Sequence, residues 1–308
     1  MSEGYEALRR GAAFLDVSAR GRIVARGRDR ARLLHNLSTN EVKKMMPGSG
    51  CYAFLLNPQG RIQADLHLLC FDEHFLIETD SELRDKVQQH IRRYIIADQV
   101  ELEDVTARTS EIAIEGPGAA AALVALNSPI PGSDYSHLAW GDATVASMSL
   151  TGQPGFRLFC GPEKAAELLH QLASAGAKPA TEGDIRQVRI ENGKPRYGED
   201  IRENSLPQET QQMHAVSFTK GCYLGQEIVE RIRAQGHVNK KLVRVEIEAS
   251  EAPPAGTKLT ANGAEAGEIT SGVYSPEFAK VVGLAYVRTP HANSATELQA
   301  GDARVLVR

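Results

Sequence analysis

In this 308-residue chain, strand-like and helix-like patterns of apolar residues interleave before residue 236, and only strand-like patterns follow it. In the first part, the segment 61–68 alternates, which is the pattern of a half-buried strand. Its apolar face consists of Ile62, Ala64, Leu66 and Leu68, and its polar face of Gln63, Asp65 and His67. The apolar run 51–56 precedes it, and Asn57-Pro58-Gln59-Gly60 between them is typical of a turn. The two segments therefore predict a hairpin.

Other segments have apolar residues at helical spacing. The spacing predicts a short helix that contains residues 31–37 and ends near Thr39-Asn40, and another over 87–95, opened by a capping box at Thr79-Asp80-Ser81-Glu82. Ile112 and Ile114 indicate a strand after the second helix. Pro117 and Pro162 are each expected at the first position of a further helix, and Gly176 is expected to close the helix that Pro162 opens. Strands and helices thus interleave, which predicts an α+β fold.

After Gly236 the period is two, with short turns between the apolar segments. Val243, Val245 and Ile247 alternate with charged residues, and no helical pattern follows. This predicts a small all-β barrel. The chain is accordingly divided into an α+β region, 1–238, and a C-terminal barrel domain, 239–308.

Net charge, cysteine spacing and the length of the apolar runs exclude several classes of function. The net charge is −4, so the whole molecule is not an electrostatic binder of nucleic acid. Four cysteines without C-x-x-C spacing indicate neither a zinc site nor a cluster held by this chain alone, and they fit a reducing compartment. The longest apolar run, 119–126, is too short to cross a bilayer, so a cytoplasmic location without membrane contact is expected.

The run from Lys220 to Arg231 concentrates chemistry around one thiol. Gly221 and Gly225 flank the loop that holds Cys222, and a helix is expected to begin at the following Gln-Glu pair. A neighbouring cation such as Lys220 and a helix N-terminus both lower the pKa of a thiol. The alternative is a half-buried cysteine in an ordinary loop.

Two carboxylates are candidates for ligand binding. Asp65 shares the polar face of its strand with His67 and could move a proton or orient an amine; the alternative is two solvent-facing side chains. Glu191 lies in Arg-Ile-Glu-Asn-Gly, shortly before Tyr197. Its two oxygens could accept two adjacent donors of a ligand, or it could be a helix-end residue in water. A surplus of Lys and Arg over 217–244 could hold an anionic tail, a phosphate backbone or an acidic partner, or be a solvated face.

The run 220–231 resembles the signature of the YgfZ-type folate-binding proteins, which are relatives of the glycine-cleavage T-protein, an aminomethyltransferase. Weaker similarity extends over 189–200, 268–287 and 54–67. The resemblance implies a T-protein-like ring, in which two ferredoxin-like α+β subdomains and a C-terminal β-barrel surround a folate pocket.

The resemblance also implies roles for single residues. Asp65 and Glu191 would face tetrahydrofolate, with Tyr197 in the neighbouring motif and Cys222 as the working thiol. Lys220 and Arg231 would contact the folate tail or a partner. T-protein sequences have two acids where this chain has Ala64 and Asp65, so the first acid is missing. That departure argues against aminomethyl transfer and leaves folate binding open.

The function implied is a tetrahydrofolate-binding protein that supports assembly or repair of iron–sulfur clusters. Partners would be iron–sulfur assembly proteins or client enzymes, among them radical enzymes that modify tRNA. Direct tRNA binding gains no support from base stacking, because the basic stretch contains few aromatic residues. One alternative is a folate-dependent aminomethyl or one-carbon transferase, and another is a cluster scaffold without a folate function.

Overall fold

The computed structural model describes all 308 residues and contains seven α-helices and seventeen strands in three sheets. The helices are α1 (Glu3–Arg10), α2 (Arg30–Leu37), α3 (Arg84–Arg92), α4 (Ala119–Ala125), α5 (Pro162–Ser174), α6 (Glu182–Glu191) and α7 (Gln226–Gln235). The strands before residue 100 are β1 (Ala13–Asp16), β2 (Gly21–Arg26), β3 (Gly50–Leu56), β4 (Ile62–Cys70) and β5 (His74–Thr79). Those between 100 and 180 are β6 (Glu101–Asp104), β7 (Ser110–Glu115), β8 (His137–Trp140), β9 (Ala143–Ser147), β10 (Gly155–Cys160) and β11 (Lys178–Pro179). The remaining strands are β12 (Lys240–Ile247), β13 (Lys258–Ala261), β14 (Ala264–Ser275), β15 (Lys280–Arg288), β16 (Glu297–Ala300) and β17 (Ala303–Val307).

The first sheet has the order β3-β4-β5-β2-β6 and is antiparallel. Its hairpin β3–β4 forms as the alternation predicts, and Gly60 takes the left-handed conformation, φ +70°, that the turn requires. The apolar face of β4 packs under α2 and α3 in the largest hydrophobic cluster, with Leu34 and Val87. The polar face of β4 is thereby turned away from this core.

The second sheet has the order β11-β1-β7-β10-β9-β8. Helices α4 and α5 cover one face through Leu123, Leu168 and Leu172, which pack on Ile112 and Leu158. The uncovered faces of the two sheets meet in a smaller apolar cluster, to which Val24 and Leu76 contribute from the first sheet and Met148 and Phe159 from the second side. Each sheet with its helices is one ferredoxin-like half.

The C-terminal sheet closes into a six-stranded barrel, β12-β15-β14-β13-β16-β17. Its interior is filled by alternating apolar residues such as Val245, Leu259 and Val305. Helix α6 packs against β14 and β15 and so joins the barrel to the second half. The predicted α+β fold with a C-terminal barrel is confirmed; the division at 238 and 239 stays a prediction, with the first barrel strand beginning at Lys240.

Two helix starts differ from the sequence prediction. The expected capping box does not form: Thr79 ends β5, residues Ser81–Leu83 form a 3₁₀ turn, and α3 begins at Arg84. The reason is that Thr79, the expected capping residue, belongs to β5 and donates its hydroxyl to the carbonyl of Asp65 at 2.8 Å. Helix α4 begins two residues after Pro117, whereas α5 begins at Pro162 as expected. None of the helices has both the length and the apolar character needed to span a bilayer.

Candidate functional site

A cavity of about 670 Å³ lies where the uncovered faces of the two sheets meet. The hairpin β3–β4 supplies Tyr52, Asp65 and His67 to its wall, and β10 supplies Arg157. Helix α6 and the segment that follows it, up to Glu199, close a further side. The volume lies within the range of pockets that hold small molecules and cofactors.

Asp65 is the carboxylate that the strand alternation aims into this cavity. Tyr52 on the neighbouring strand donates a hydrogen bond from its hydroxyl to Asp65 Oδ2 at 2.8 Å. Burial, with the negative charge of Asp80 nearby, raises the pKa of Asp65 to about 7. A carboxyl group with that pKa exchanges its proton near neutral pH, which is what a general acid or base requires.

Four rings follow one another along the wall beside Asp65. The ring centroids of His214, Tyr52, His67 and Tyr135 are separated in that order by 5.4, 5.1 and 5.6 Å. His67 Nδ1 lies 2.6 Å from Glu78 Oε2, and burial lowers the pKa of His67. The sequence analysis missed Tyr52, although the hairpin register places it directly opposite His67. No local signal marks Tyr135 or His214, which lie in connecting segments.

Buried charges lie at the wall of the cavity and behind it. Arg20 pairs with Glu78 and Asp80 on the first sheet. Burial would raise the pKa of Glu78, but Arg20 and His67 hold it well below its usual range. On the second sheet Glu111 accepts a hydrogen bond from Arg157 at 2.6 Å, and burial together with Glu78 raises the pKa of Glu111 to about 7. Arg22 of β2 joins the two sheets by donating to Glu111 of β7 at 3.3 Å.

Glu191 does not line the cavity. It is fully buried at the end of α6, where Tyr5 and Ser275 donate hydrogen bonds to its Oε1 at 2.8 and 2.6 Å. The guanidinium of Arg9 lies 3.7 Å from its other oxygen. Because Ser275 belongs to β14, this carboxylate joins α6 to the barrel.

Asp200 has the same kind of role. Its Oδ1 accepts hydrogen bonds from Thr270 and Ser271, both at 2.6 Å, and its Oδ2 accepts one from Arg189 at 2.7 Å. The two motifs that the sequence analysis treated separately, 189–200 and 268–276, are therefore in contact. We call this contact the barrel joint, formed by Glu191 and Asp200 with Thr270, Ser271 and Ser275.

The other predicted folate contacts are divided between the cavity and the outside. Tyr197 lines the cavity and donates from its hydroxyl to the carbonyl of Gln63 at 2.8 Å. Lys220 is buried outside the cavity wall, and burial lowers its pKa to about 8. Arg231 is exposed on α7 and has no acidic partner. Asp65 and Tyr197 are thus the predicted folate residues that the structure brings together.

Cys222 lies on an exposed loop in front of α7. Cys70 and Cys160 are buried and Cys51 is half-buried; burial raises the pKa of Cys51 to about 12. Lys220, expected to favour the thiolate, donates its three N–H groups to the carbonyls of the segment that ends α2: His35, Ser38 at 2.6 Å and Asn40 at 2.9 Å. No hydrogen bond from Lys220 is left for the thiol. The residues described contain no group of three or more His, Cys, Asp or Glu arranged to hold a metal ion.

The comparisons with known proteins agree with this architecture. Residues 1–220 match the model of the GCVT N-terminal domain, and residues 240–307 match that of the glycine cleavage T-protein C-terminal barrel domain. An aminomethyltransferase of Rubrobacter xylanophilus is 33% identical over 92% of this chain and 78% of its own length. One of Geobacillus kaustophilus is 30% identical over 97% of this chain and 85% of its own length.

A solved structure gives the same fold. The glycine cleavage system aminomethyltransferase T of Bartonella henselae superposes with a TM-score of 0.90 and 20% identity, over 99% of this chain and 87% of that one. The chain belongs to the glycine-cleavage T-protein, or aminomethyltransferase, family. Proteins of this family bind tetrahydrofolate, so the predicted cofactor is confirmed at the level of the family. The comparisons do not single out the YgfZ-type branch.

The structure also removes the argument against aminomethyl transfer. Ala64 is buried on the face of β4 that packs under the helices, where its relative exposure is 1%. An acid at this position would point into the apolar core, where an unpaired carboxylate is strongly unfavourable. The cavity-facing acid of the pair is retained as Asp65, so the missing first acid does not change the cavity.

Proposed function

We propose that this chain binds tetrahydrofolate in the central cavity and uses it to accept or donate a one-carbon unit, as an aminomethyltransferase-like enzyme. The observation that carries the proposal is Asp65, a buried carboxyl group on the cavity wall with a pKa of about 7. The relatives named aminomethyltransferase support it over most of the chain.

The residues of the cavity fit a reduced folate. A pterin ring has N–H donors, for which Asp65 is an acceptor, and the rings of Tyr52, His67 and Tyr135 line the wall beside it. Tyr197 lies on the same cavity and fixes the strand that carries Asp65 by its bond to Gln63. Bound tetrahydrofolate would supply the nucleophilic nitrogen that carries the one-carbon unit.

The protein itself then has two tasks. Tyr52 holds the carboxyl group of Asp65 in one orientation through the 2.8 Å hydrogen bond. Asp65, whose pKa lies near neutrality, can accept a proton from an amine in the cavity and return it without a large energetic cost.

Calorimetric titration with tetrahydrofolate, followed by a transfer assay with an aminomethyl-lipoyl donor, tests the proposal. We expect saturable binding and turnover in the wild-type protein, with Asp65→Asn retaining its fold. Protein that ignores tetrahydrofolate at millimolar concentration would show the cavity to serve another ligand. Binding without turnover would leave a folate-binding protein whose reaction is not this transfer.

We also propose a second candidate function, because Cys222 differs from the other three cysteines by its exposure. Here the chain is a YgfZ-type factor of the cytoplasm that supports assembly or repair of iron–sulfur clusters, with tRNA-modifying radical enzymes among its clients. The thiol of Cys222 is the reactive group. The exposed Arg231 lies on α7, which follows the Cys222 loop, and contacts the partner. Folate binding remains in the cavity, so the two functions reside in separate places.

Complementation of a cell that lacks its native cluster-assembly factor separates the two functions. If the cluster function holds, Cys222→Ser fails to restore client activity although the purified variant still binds folate. If Cys222→Ser rescues fully and Asp65→Asn does not, the transferase function alone is retained. The loop is exposed, so the serine variant is expected to fold normally.

A further inference from the structure

Two buried arginines, Arg157 on the cavity wall and Arg22 behind it, share one carboxylate but differ in how many of their donors are used. Arg22 is fully buried and donates to Glu111, to Thr109 Oγ1 and to four backbone carbonyl oxygens. Arg157 is also fully buried and donates only from Nη1 to Glu111. Its Nε and Nη2 have no hydrogen-bond partner. Buried guanidinium donors are normally satisfied, so the two free donors of Arg157 need an acceptor.

The free donors of Arg157 are arranged for a particular acceptor. The N–H groups on Nε and Nη2 point to the same side of the planar guanidinium and bind both oxygens of a carboxylate in parallel. Arg157 is one of the residues that line the cavity, so a ligand in the cavity lies beside its guanidinium. Arg22, which does not line the cavity, has no such free edge.

A second cation on the cavity wall also has donors left for a negative ligand. Glu111, the carboxylate paired with Arg157, is shared with Arg22. Lys194 lines the same cavity and has a single acceptor, the carbonyl of Ser149 at 2.7 Å. Burial lowers the pKa of Lys194 against the opposing charge of Glu115, and the positive charges of Arg157 and Arg20 lower it further. A buried cation with unused donors is stabilised by an anion that enters the site.

We propose that the cavity contains a carboxylate-binding subsite at Arg157, distinct from the Asp65 wall, in which Nε and Nη2 hold the two oxygens of a ligand carboxylate. This proposal deepens the proposed folate function and rests on it, since the ligand in the rest of the cavity is then tetrahydrofolate. A guanidinium has donors only, so it cannot bind the N–H edge of a pterin, which Asp65 accepts. The carboxylate comes either from the glutamate part of folate or from a separate small acid that reacts with it.

The test compares ligands with and without a carboxylate on the wild-type protein and on Arg157→Lys, which keeps the charge and loses the paired donors. Tetrahydrofolate and 6-methyltetrahydropterin, which has no carboxylate, are titrated by calorimetry. Acetate is compared with neutral acetamide at equal ionic strength by thermal unfolding. Arg22→Lys is the matched control, since it alters the same buried layer without touching the cavity.

If the carboxylate belongs to folate, Arg157→Lys weakens tetrahydrofolate by about 10- to 100-fold and leaves the tetrahydropterin unchanged. If it belongs to a separate acid, acetate raises the melting temperature of the wild-type protein more than acetamide does, and Arg157→Lys abolishes the difference. In either case Arg22→Lys lowers the melting temperature without changing the ligand preference.

The measurements on the wild-type protein test the carboxylate subsite even if Arg157→Lys does not fold. Equal affinity for tetrahydrofolate and the tetrahydropterin, together with equal effects of acetate and acetamide, overturns the subsite. Ligand preferences that Arg22→Lys changes as much as Arg157→Lys also overturn it, because the layer would then act only through stability. Failure of both pterins to bind rejects the folate proposal, whereas the acetate arm still decides on Arg157.

Discussion

Asp65 and Glu191 are both carboxylates that the sequence assigned to folate, and the structure gives them different surroundings. Asp65 faces the cavity, has one hydrogen-bond donor in Tyr52 and has a pKa raised to about 7. Glu191 is enclosed in the barrel joint, where Tyr5 and Ser275 occupy one of its oxygens. Glu191 Oε2 also lacks a hydrogen-bond partner, but of the two acids only Asp65 lies beside the cavity, where a ligand can use it. An acid whose partners are other parts of the same chain holds those parts together.

The largest effect that separates the two acids is expected from Asp65→Asn. The amide cannot accept a proton as the carboxylate does, so transfer to or from tetrahydrofolate should fall by about 10²–10⁴-fold. Steady-state kinetics with the aminomethyl donor measure this, and calorimetry establishes that tetrahydrofolate still binds. Glu191→Gln is the matched control and should keep most of the activity. Equal losses in both variants would remove the distinction between cavity and joint.

Glu191→Ala should act on stability instead. It removes two hydrogen bonds to a buried carboxylate and leaves the hydroxyls of Tyr5 and Ser275 unpaired, so the free energy of unfolding should fall by about 2–3 kcal/mol. Urea unfolding measures this loss, and titration at a temperature where the variant is folded measures tetrahydrofolate affinity, which should change less than about twofold. A large loss of affinity without a loss of stability would return Glu191 to the ligand.

The pH dependence of stability sharpens the same comparison. The pKa of Asp65 in the folded protein, about 7, lies above its ordinary value of 3.8. The folded protein therefore binds this proton more tightly than the unfolded chain, and the stability present in acid is lost as the pH rises through 4 to 7. Asp65→Asn should flatten this decline between pH 4 and pH 7. Glu111, whose pKa is also raised to about 7, should maintain part of the decline.

The smallest effect is expected at the exposed loop. Cys222→Ser should change the free energy of unfolding by less than about 0.5 kcal/mol, because the side chain is exposed. Iodoacetamide at pH 7 should alkylate Cys222 well before Cys51, Cys70 or Cys160, and mass spectrometry of the digested protein measures the order. Alkylation of a core cysteine at the same rate would mean that the first or second half opens readily.

The sequence predicted the parts of this site that local rules determine. Alternation along β4 and the turn at 57–60 determine which way Asp65 points, and both are read from neighbouring residues. The surroundings of Glu191 depend on Ser275, 84 positions later, and on Tyr5, 186 positions earlier. No period in the sequence reports such distant partners. The same holds for Arg157, since every residue of β10 is buried and the strand has no alternation to read.

Family resemblance had a limit of the same kind. It gave the fold and the expectation of a folate pocket, but it could not tell the cavity acid from the joint acid, since both belong to recognisable motifs. It also led us to take the missing acid at Ala64 as evidence against aminomethyl transfer, although this residue faces the core. The side of a strand or helix on which a motif residue lies has to be known before a role is transferred to it.

The way Lys220 is held has a consequence for how the Cys222 loop can be observed. Its ammonium is buried against three carbonyls at the end of α2, so an acylating reagent reaches it only after the loop has detached from that helix. The rate at which Lys220 is acylated therefore reports how often the Cys222 loop detaches from α2. The exposed thiol two residues away reacts without any such event. Acylation of Lys220 therefore measures motion of the loop, whereas alkylation of Cys222 measures only contact with the reagent.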